Sequence, residues 1–323
     1  MSKDSHKLED VQTAVLAAAL SNKGPDSPKY EEYRQNLVKQ LEKSGEKIVK
    51  GPIPFYKKGV KGPAGYVIET DKEVLVCYHG TKFGKIFGSG GKEILHDLQI
   101  SRAKMNFGGQ KVSVHSGFKA EFESSKESLY QALAQTNLKD KGVHLTGHSL
   151  GGAVSQIAAM DLSTHFGVKV NKVTTFGGPR VFAKDAAELY NSKGLGDVTL
   201  RVKQDRDPVP RLVPRGMYHH TGRKITLKSS KRSIHSGAVY RDIATKKVTE
   251  KDIANARESD KPWSFTESYV KPVMRMTKAA FAIAYHSTIG AVVDKLKPSK
   301  SQASAISTPA NPKKVSKGNE VGL

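Results

Sequence analysis

Six residues, Gly147-His148-Ser149-Leu150-Gly151-Gly152, restrict what this chain can build more than any other stretch. Val143-His144-Leu145-Thr146 before them reads as a short buried strand. After them, residues 153–162 repeat apolar side chains at helical spacing (Val154, Ile157, Ala158, Leu162). The pattern predicts a strand, a sharp corner and a helix, with Ser149 at the apex. Such a corner explains its glycines. Side chains at Gly147 and Gly151 would meet the neighbouring strand and helix, and glycine accepts a strained backbone. The helix start aims amide N–H groups and a positive dipole end at the space beside Ser149. A hydroxyl so placed is a candidate nucleophile, with room for an oxyanion next to it. Alone, Gly-x-Ser-x-Gly arises by chance in about one chain in ten of this length, so its companions decide.

Around the corner, strand and helix patterns alternate. Residues 8–41 read as two helices broken at Asn22-Lys23-Gly24-Pro25, and residues 51–65 as an irregular Gly/Pro-rich connection. Residues 66–70 and 74–78 form a hairpin through Asp71-Lys72. Residues 82–111, rich in glycine with Phe83, Phe87 and Phe107 among them, read as a long functional loop. Val112 to Phe118 opens a helix with Phe118, Phe122, Leu129 and Leu133 on one face. Strands at 172–176 and 198–203 follow. This order predicts an α/β fold: a mostly parallel central sheet with helices on both faces and reactive residues at the carboxyl ends of the strands. The expected organisation is an N-terminal helical segment (1–50) packed on an α/β unit (51–243), a C-terminal helical extension (244–298) and a disordered basic tail (299–323). The extension includes one long helix at 273–296 that begins among basic residues.

Charge narrows the partners. Lys and Arg number 53 against 31 Asp and Glu, a net +22 in 323 residues. Such an excess attracts anionic surfaces, acidic membranes among them. No basic motif interleaved with aromatic residues argues for nucleic acid. Cys77, the sole cysteine, excludes an internal disulfide and reads as a core residue. The start of the chain, with Asp4, Glu9 and Asp10 ahead of a short apolar run, lacks the basic leader of a secretory signal. The expectation is a soluble protein, cytoplasmic or exported without a standard signal, able to sit peripherally on a membrane. No His/Cys cluster has metal-ligand spacing and no glycine-rich phosphate loop is present, so no metal or organic cofactor is expected. Oligomeric state is left open.

Five stretches in order resemble the class 3 lipases of the α/β-hydrolase superfamily. They are Tyr78-His79-Gly80-Thr81, Val114-His115-Ser116-Gly117-Phe118, the segment from Leu145 to Ala153 that carries Ser149, Thr175 to Val181, and Arg206-Asp207-Pro208-Val209-Pro210. The resemblance implies a Ser/Asp/His triad in that chain order, with Ser149 as nucleophile and Asp207 as the acid; Asp205 is the competitor two residues away. It implies His235, in Ile234-His235-Ser236-Gly237-Ala238-Val239-Tyr240, as the base, with His286 as the alternative and His219 and His220 also downstream of the acid. The oxyanion donors would be the backbone N–H of Leu150 and Thr81. The implied activity is hydrolysis of a lipid carboxylic ester, an acylglycerol or the acyl ester of a phospholipid; the glycine-rich residues 82–110, with their phenylalanines, are expected to form a lid over the acyl pocket. Two rivals are an inactive hydrolase fold that binds membranes or RNA through its charge, and a short-chain or feruloyl-type esterase.

Overall fold

The computed structural model describes residues 6–80, 101–205, 207, 209–227, 249–254 and 256–258. Helices α1 (Leu8–Ser21) and α2 (Pro28–Lys43) come first, broken at the expected Gly-Pro. Strands β1 (Ile48–Tyr56), β2 (Pro63–Thr70) and β3 (Val74–Tyr78) follow. Then come β4 (Arg102–Phe107), β5 (Gln110–His115), α3 (Ser116–Leu133) and a single turn α4 (Leu138–Lys141). The middle of the chain is β6 (Val143–His148), α5 (Leu150–Phe166), β7 (Val170–Phe176), α6 (Lys184–Ser192) and β8 (Thr199–Gln204). It closes with α7 (Val209–Leu212), β9 (Arg223–Leu227), α8 (Glu250–Ala254) and β10 (Arg257–Glu258).

Eight strands make one sheet in the order β1-β2-β3-β6-β7-β8-β9-β10, parallel from β3 to β9 and antiparallel at both ends. The architecture is the expected one. Three local expectations fail. Residues 112–115, expected to open a helix, belong to strand β5, and α3 begins only at Ser116. Residues 48–56, read in part as irregular, form the edge strand β1, because pairing with β2 accommodates Pro52 and Pro54 where no inner strand would. The end of the glycine-rich stretch is not loop either: β4 pairs with β5 in a separate two-stranded sheet turned at Gly108-Gly109. Residues 81–100, the rest of the expected lid, lie outside the described residues, as do residues 273–296 and 299–323.

Alternation along the strands assigns each face. Val74, Val76 and Tyr78 of β3 and Val143 and Leu145 of β6 join Phe118, Phe122, Leu129, Ile157 and Ala158 of α3 and α5 in the main core. Leu75 and Cys77 face the other way, onto Ala17 and Leu20 of α1 and Leu37 and Leu41 of α2. Leu200 and Val202 of β8 meet Val11, Ala14 and Val15 of α1 on that same side. The alanines of α1 allow an approach close enough for the Thr146 hydroxyl to donate to the Ala14 carbonyl at 3.1 Å. No helix among the described residues is long and apolar enough to cross a membrane.

Candidate active site

Ser149 stands between β6 and α5 with φ 54° and ψ −119°. Among the described residues it is the one non-glycine with positive φ. A conformation of this kind costs about 1–3 kcal/mol and persists only where its surroundings impose it. The glycines show how. A Cβ on Gly147 would lie 2.3 Å from the backbone of Gly151, and one on Gly151 would lie 2.5 Å from the carbonyl oxygen of Tyr78. Strand β6, helix α5 and the end of β3 therefore touch through bare backbone. Ser149 N–H donates to the Phe176 carbonyl of β7 at 2.9 Å, while Gly152 and Ala153 N–H donate to the Ser149 carbonyl. Leu150 and Gly151 open the helix, where N–H groups have no acceptor within it. The side of Ser149 that faces them is electropositive.

Asp207 follows β8, the second strand over from β6 in the sheet. A Cβ on Gly177 (φ 58°) would lie 2.6 Å from Asp207 Oδ2 and 3.7 Å from His148 Nε2. Glycine at the end of β7 thus leaves the space that the carboxylate occupies, directly after the residue that holds Ser149. The other carboxylate oxygen, Oδ1, accepts from Val209 N–H at 2.9 Å. Burial raises the Asp207 carboxyl above its ordinary 3.8, opposed by that N–H and by the Lys203 and Arg211 cations. Asp205 is placed differently: its N–H pairs with Leu227 of β9, and Arg211 donates to its carbonyl.

The end of β3 is fixed from an unexpected direction. Ser21 of α1 donates to the Tyr78 carbonyl at 3.0 Å, and Gly80 N–H donates to Oδ1 of Asn22 at 2.9 Å. Both anchors belong to the C-terminal end of the first helix, which sequence pattern alone marked only as a break. Thr81, the next residue, lies outside the described residues, and so do His235 and His286. Other histidines have structural surroundings. His144 bridges Glu73 and Thr174, His165 bonds Asp161, and His220 bonds the Pro210 carbonyl. His148 is buried and pushed down to about 3, and His115, stacked on Phe118, to about 4; burial is the cause in each. His219 N–H donates to the Phe182 carbonyl. Among the described residues no cluster of His, Cys, Asp or Glu could hold a metal ion.

A family model described as "Lipase (class 3)" matches residues 78–217, a span that holds both Ser149 and Asp207. That span is similar to the class 3 lipases. Over 114 residues the chain is 35% identical to "Lipase A" of Sodiomyces alcalophilus, covering 32% of this chain and 27% of that protein. It is 33% identical over 119 residues to a secreted mono- and diacylglycerol lipase of Malassezia restricta, covering 34% of this chain and 38% of that one. The chain thus spans well under half the length of these two relatives. Among solved structures, lipase II from Rhizopus niveus aligns over 76% of this chain and 92% of its own with a TM-score of 0.53. At 20% identity that likeness concerns the α/β-hydrolase fold.

Proposed function

We propose that the chain hydrolyses carboxylic esters of lipids, acylglycerols or the acyl esters of phospholipids, through an acyl-enzyme on Ser149. The observation that carries this reading is the backbone of Ser149, held at φ 54° at the mouth of a helix in a span similar to the class 3 lipases. Strain of this sort at a serine has no packing use and has a chemical one. In the reaction the Ser149 hydroxyl adds to the ester carbonyl and its proton passes to an imidazole, for which His235 is proposed. Asp207 orients that imidazole and balances its charge. The proton then goes to the departing alcohol, and water releases the acid by the reverse sequence. Leu150 N–H is the proposed first oxyanion donor and Thr81 the second. The placement of the Asp207 carboxylate over Gly177 supports it over Asp205 as the acid. No step calls for a cofactor. We read residues 51–243 as the catalytic unit, with the basic excess drawing it to anionic lipid surfaces.

A fluorophosphonate probe is expected to label the protein at Ser149 and to fail on Ser149→Ala. Labelling retained in Ser149→Ala overturns the proposal. Nitrophenyl esters of rising chain length, with long acyl chains expected to be preferred, separate a lipase from a short-chain or feruloyl-type esterase.

A further inference from the structure

Sheet register places the turn between β1 and β2. Tyr78, at the end of β3, lies opposite Gly65 of β2 and Gly147 of β6. Phe55 of β1 pairs with Gly65, and Tyr56 with Pro63. The turn that joins them, Lys57-Lys58-Gly59-Val60-Lys61-Gly62, therefore leaves the sheet at the same end as Ser149. With strands about 4.8 Å apart, β2 and β6 are separated by only about 10 Å.

Helix α3 holds this turn in place. Tyr56 N–H donates to Ser128 Oγ and Lys58 N–H to the Ser124 carbonyl, both at 2.9 Å. Lys57 donates from Nζ to Glu121 at 2.9 Å, so its charge is already compensated. Val60 N–H donates back to the Lys57 carbonyl at 3.3 Å and closes the tip. What the tip shows to water is apolar and cationic at once. Val60 is 53% exposed and Tyr56 47%; the third exposed large apolar side chain among the described residues, Val49, is at the other end of β1. Lys58 and Lys61, on either side of Val60, are exposed, and neither joins an ion pair among the described residues. The turn itself contains no Asp or Glu. A single exposed apolar residue would need no explanation, but here two of them, two available cations and a fixed place beside the proposed nucleophile coincide.

We propose that the β1–β2 turn docks on an anionic lipid surface, with Val60 entering the headgroup layer and Lys58 and Lys61 meeting its negative charge. The proposal rests on the reading that Ser149 attacks lipid esters, and it names the element that brings that end of the sheet to them. Val60 gains by leaving water, and Tyr56 suits a boundary that is apolar on one side and wet on the other. The two ammonium groups are drawn by the potential of an acidic bilayer. Because α3 already fixes the backbone of the turn, contact orders little that was free before.

Flotation of the full chain with vesicles tests this, in the Ser149→Ala background so that binding is read without hydrolysis. Phosphatidylcholine vesicles carrying phosphatidylserine are expected to retain the protein, and vesicles of phosphatidylcholine alone to retain about tenfold less. Val60→Asp is expected to lower retention about fivefold, and Lys58→Glu/Lys61→Glu about tenfold. Lys39→Glu/Lys43→Glu makes the same change in net charge on the last turns of α2, which lead to the far end of β1; it is expected to bind as the parent does. Thermal melts followed by circular dichroism are expected to be alike in all of these chains. Equal loss in the two double variants overturns docking by the turn in favour of general charge. Retention unchanged by Val60→Asp overturns it too, as does a parent chain that no acidic vesicle retains. With Ser149 restored, the turn variants are expected to hydrolyse a soluble nitrophenyl ester as wild type does and to lose activity on esters held in acidic vesicles. Turn-dependent vesicle binding in a chain that no fluorophosphonate labels would support docking and remove the proposed hydrolysis; labelling with no turn-dependent binding would do the reverse.

Discussion

At Ser149 backbone strain and proposed chemistry are in the same residue, and they can be separated. Ser149→Gly removes the Cβ that makes φ 54° costly. We expect it to raise stability by about 1 kcal/mol in denaturant melts while abolishing probe labelling. Unchanged or lower stability would mean that the corner holds Ser149 without strain. Asp207 makes a parallel case. Its carboxyl is raised in the folded chain, chiefly by burial, so the fold prefers the protonated form more than the unfolded chain does. Its ionised form therefore weakens the fold above the folded pKa, and the effect vanishes below the unfolded one. Asp207→Asn is accordingly expected to match or exceed wild type in Tm at neutral pH. Esterase turnover of the same variant is expected to fall by about 10⁴-fold, because the imidazole loses its orienting anion.

Among the elements, the contact between α1 and the end of β3 is open to test. Asn22→Ala deletes the acceptor for Gly80 N–H, just before the proposed donor Thr81. Loss of one oxyanion donor costs about 10²–10³ in rate; loosening its anchor should lower kcat by a smaller factor, with KM for a nitrophenyl ester unchanged. A fall in Tm with kcat intact would make the anchor purely structural. Gly151→Ala forces a methyl to within 2.5 Å of the Tyr78 carbonyl and should destabilise by about 1–3 kcal/mol. The elements that position Ser149 were legible in the sequence because glycine spacing and apolar periodicity report local constraints. Edge strand β1 was hidden by its prolines, and β4 by the glycines around it, since both are defined by pairing with a distant partner. Asn22 was invisible for the same reason: nothing in a helix end says which strand it will hold. The cationic face of β8 was written in Arg201-Val202-Lys203, but alternation alone does not say which side is buried by a helix.

For the molecule as a whole, buried histidines add to the response to acid that Glu73, Asp161 and Asp185, held below the usual carboxylate range, also give. His115 and His148 are held at about 4 and about 3, against the usual 6.5. The unfolded chain binds protons at these positions between those values and 6.5, and the folded chain does not. Stability is therefore full above pH 6.5 and falls as pH drops. Near pH 4 the two together cost roughly 6 kcal/mol, comparable to the entire stability of many domains. Acid titration followed by circular dichroism is expected to show cooperative unfolding between pH 4 and 6, shifted to lower pH in His115→Gln. A midpoint indifferent to that change would move the cause elsewhere.

The two-sided character of β8 also bears on how the sheet is assembled. A slip of one residue against β7 would turn Arg201 and Lys203 onto the alanines of α1 and set Leu200 and Val202 on the polar face that those two cations occupy. Misaligned pairings of this strand are therefore far from the native state in energy, and the chain has one way to add it to the growing sheet.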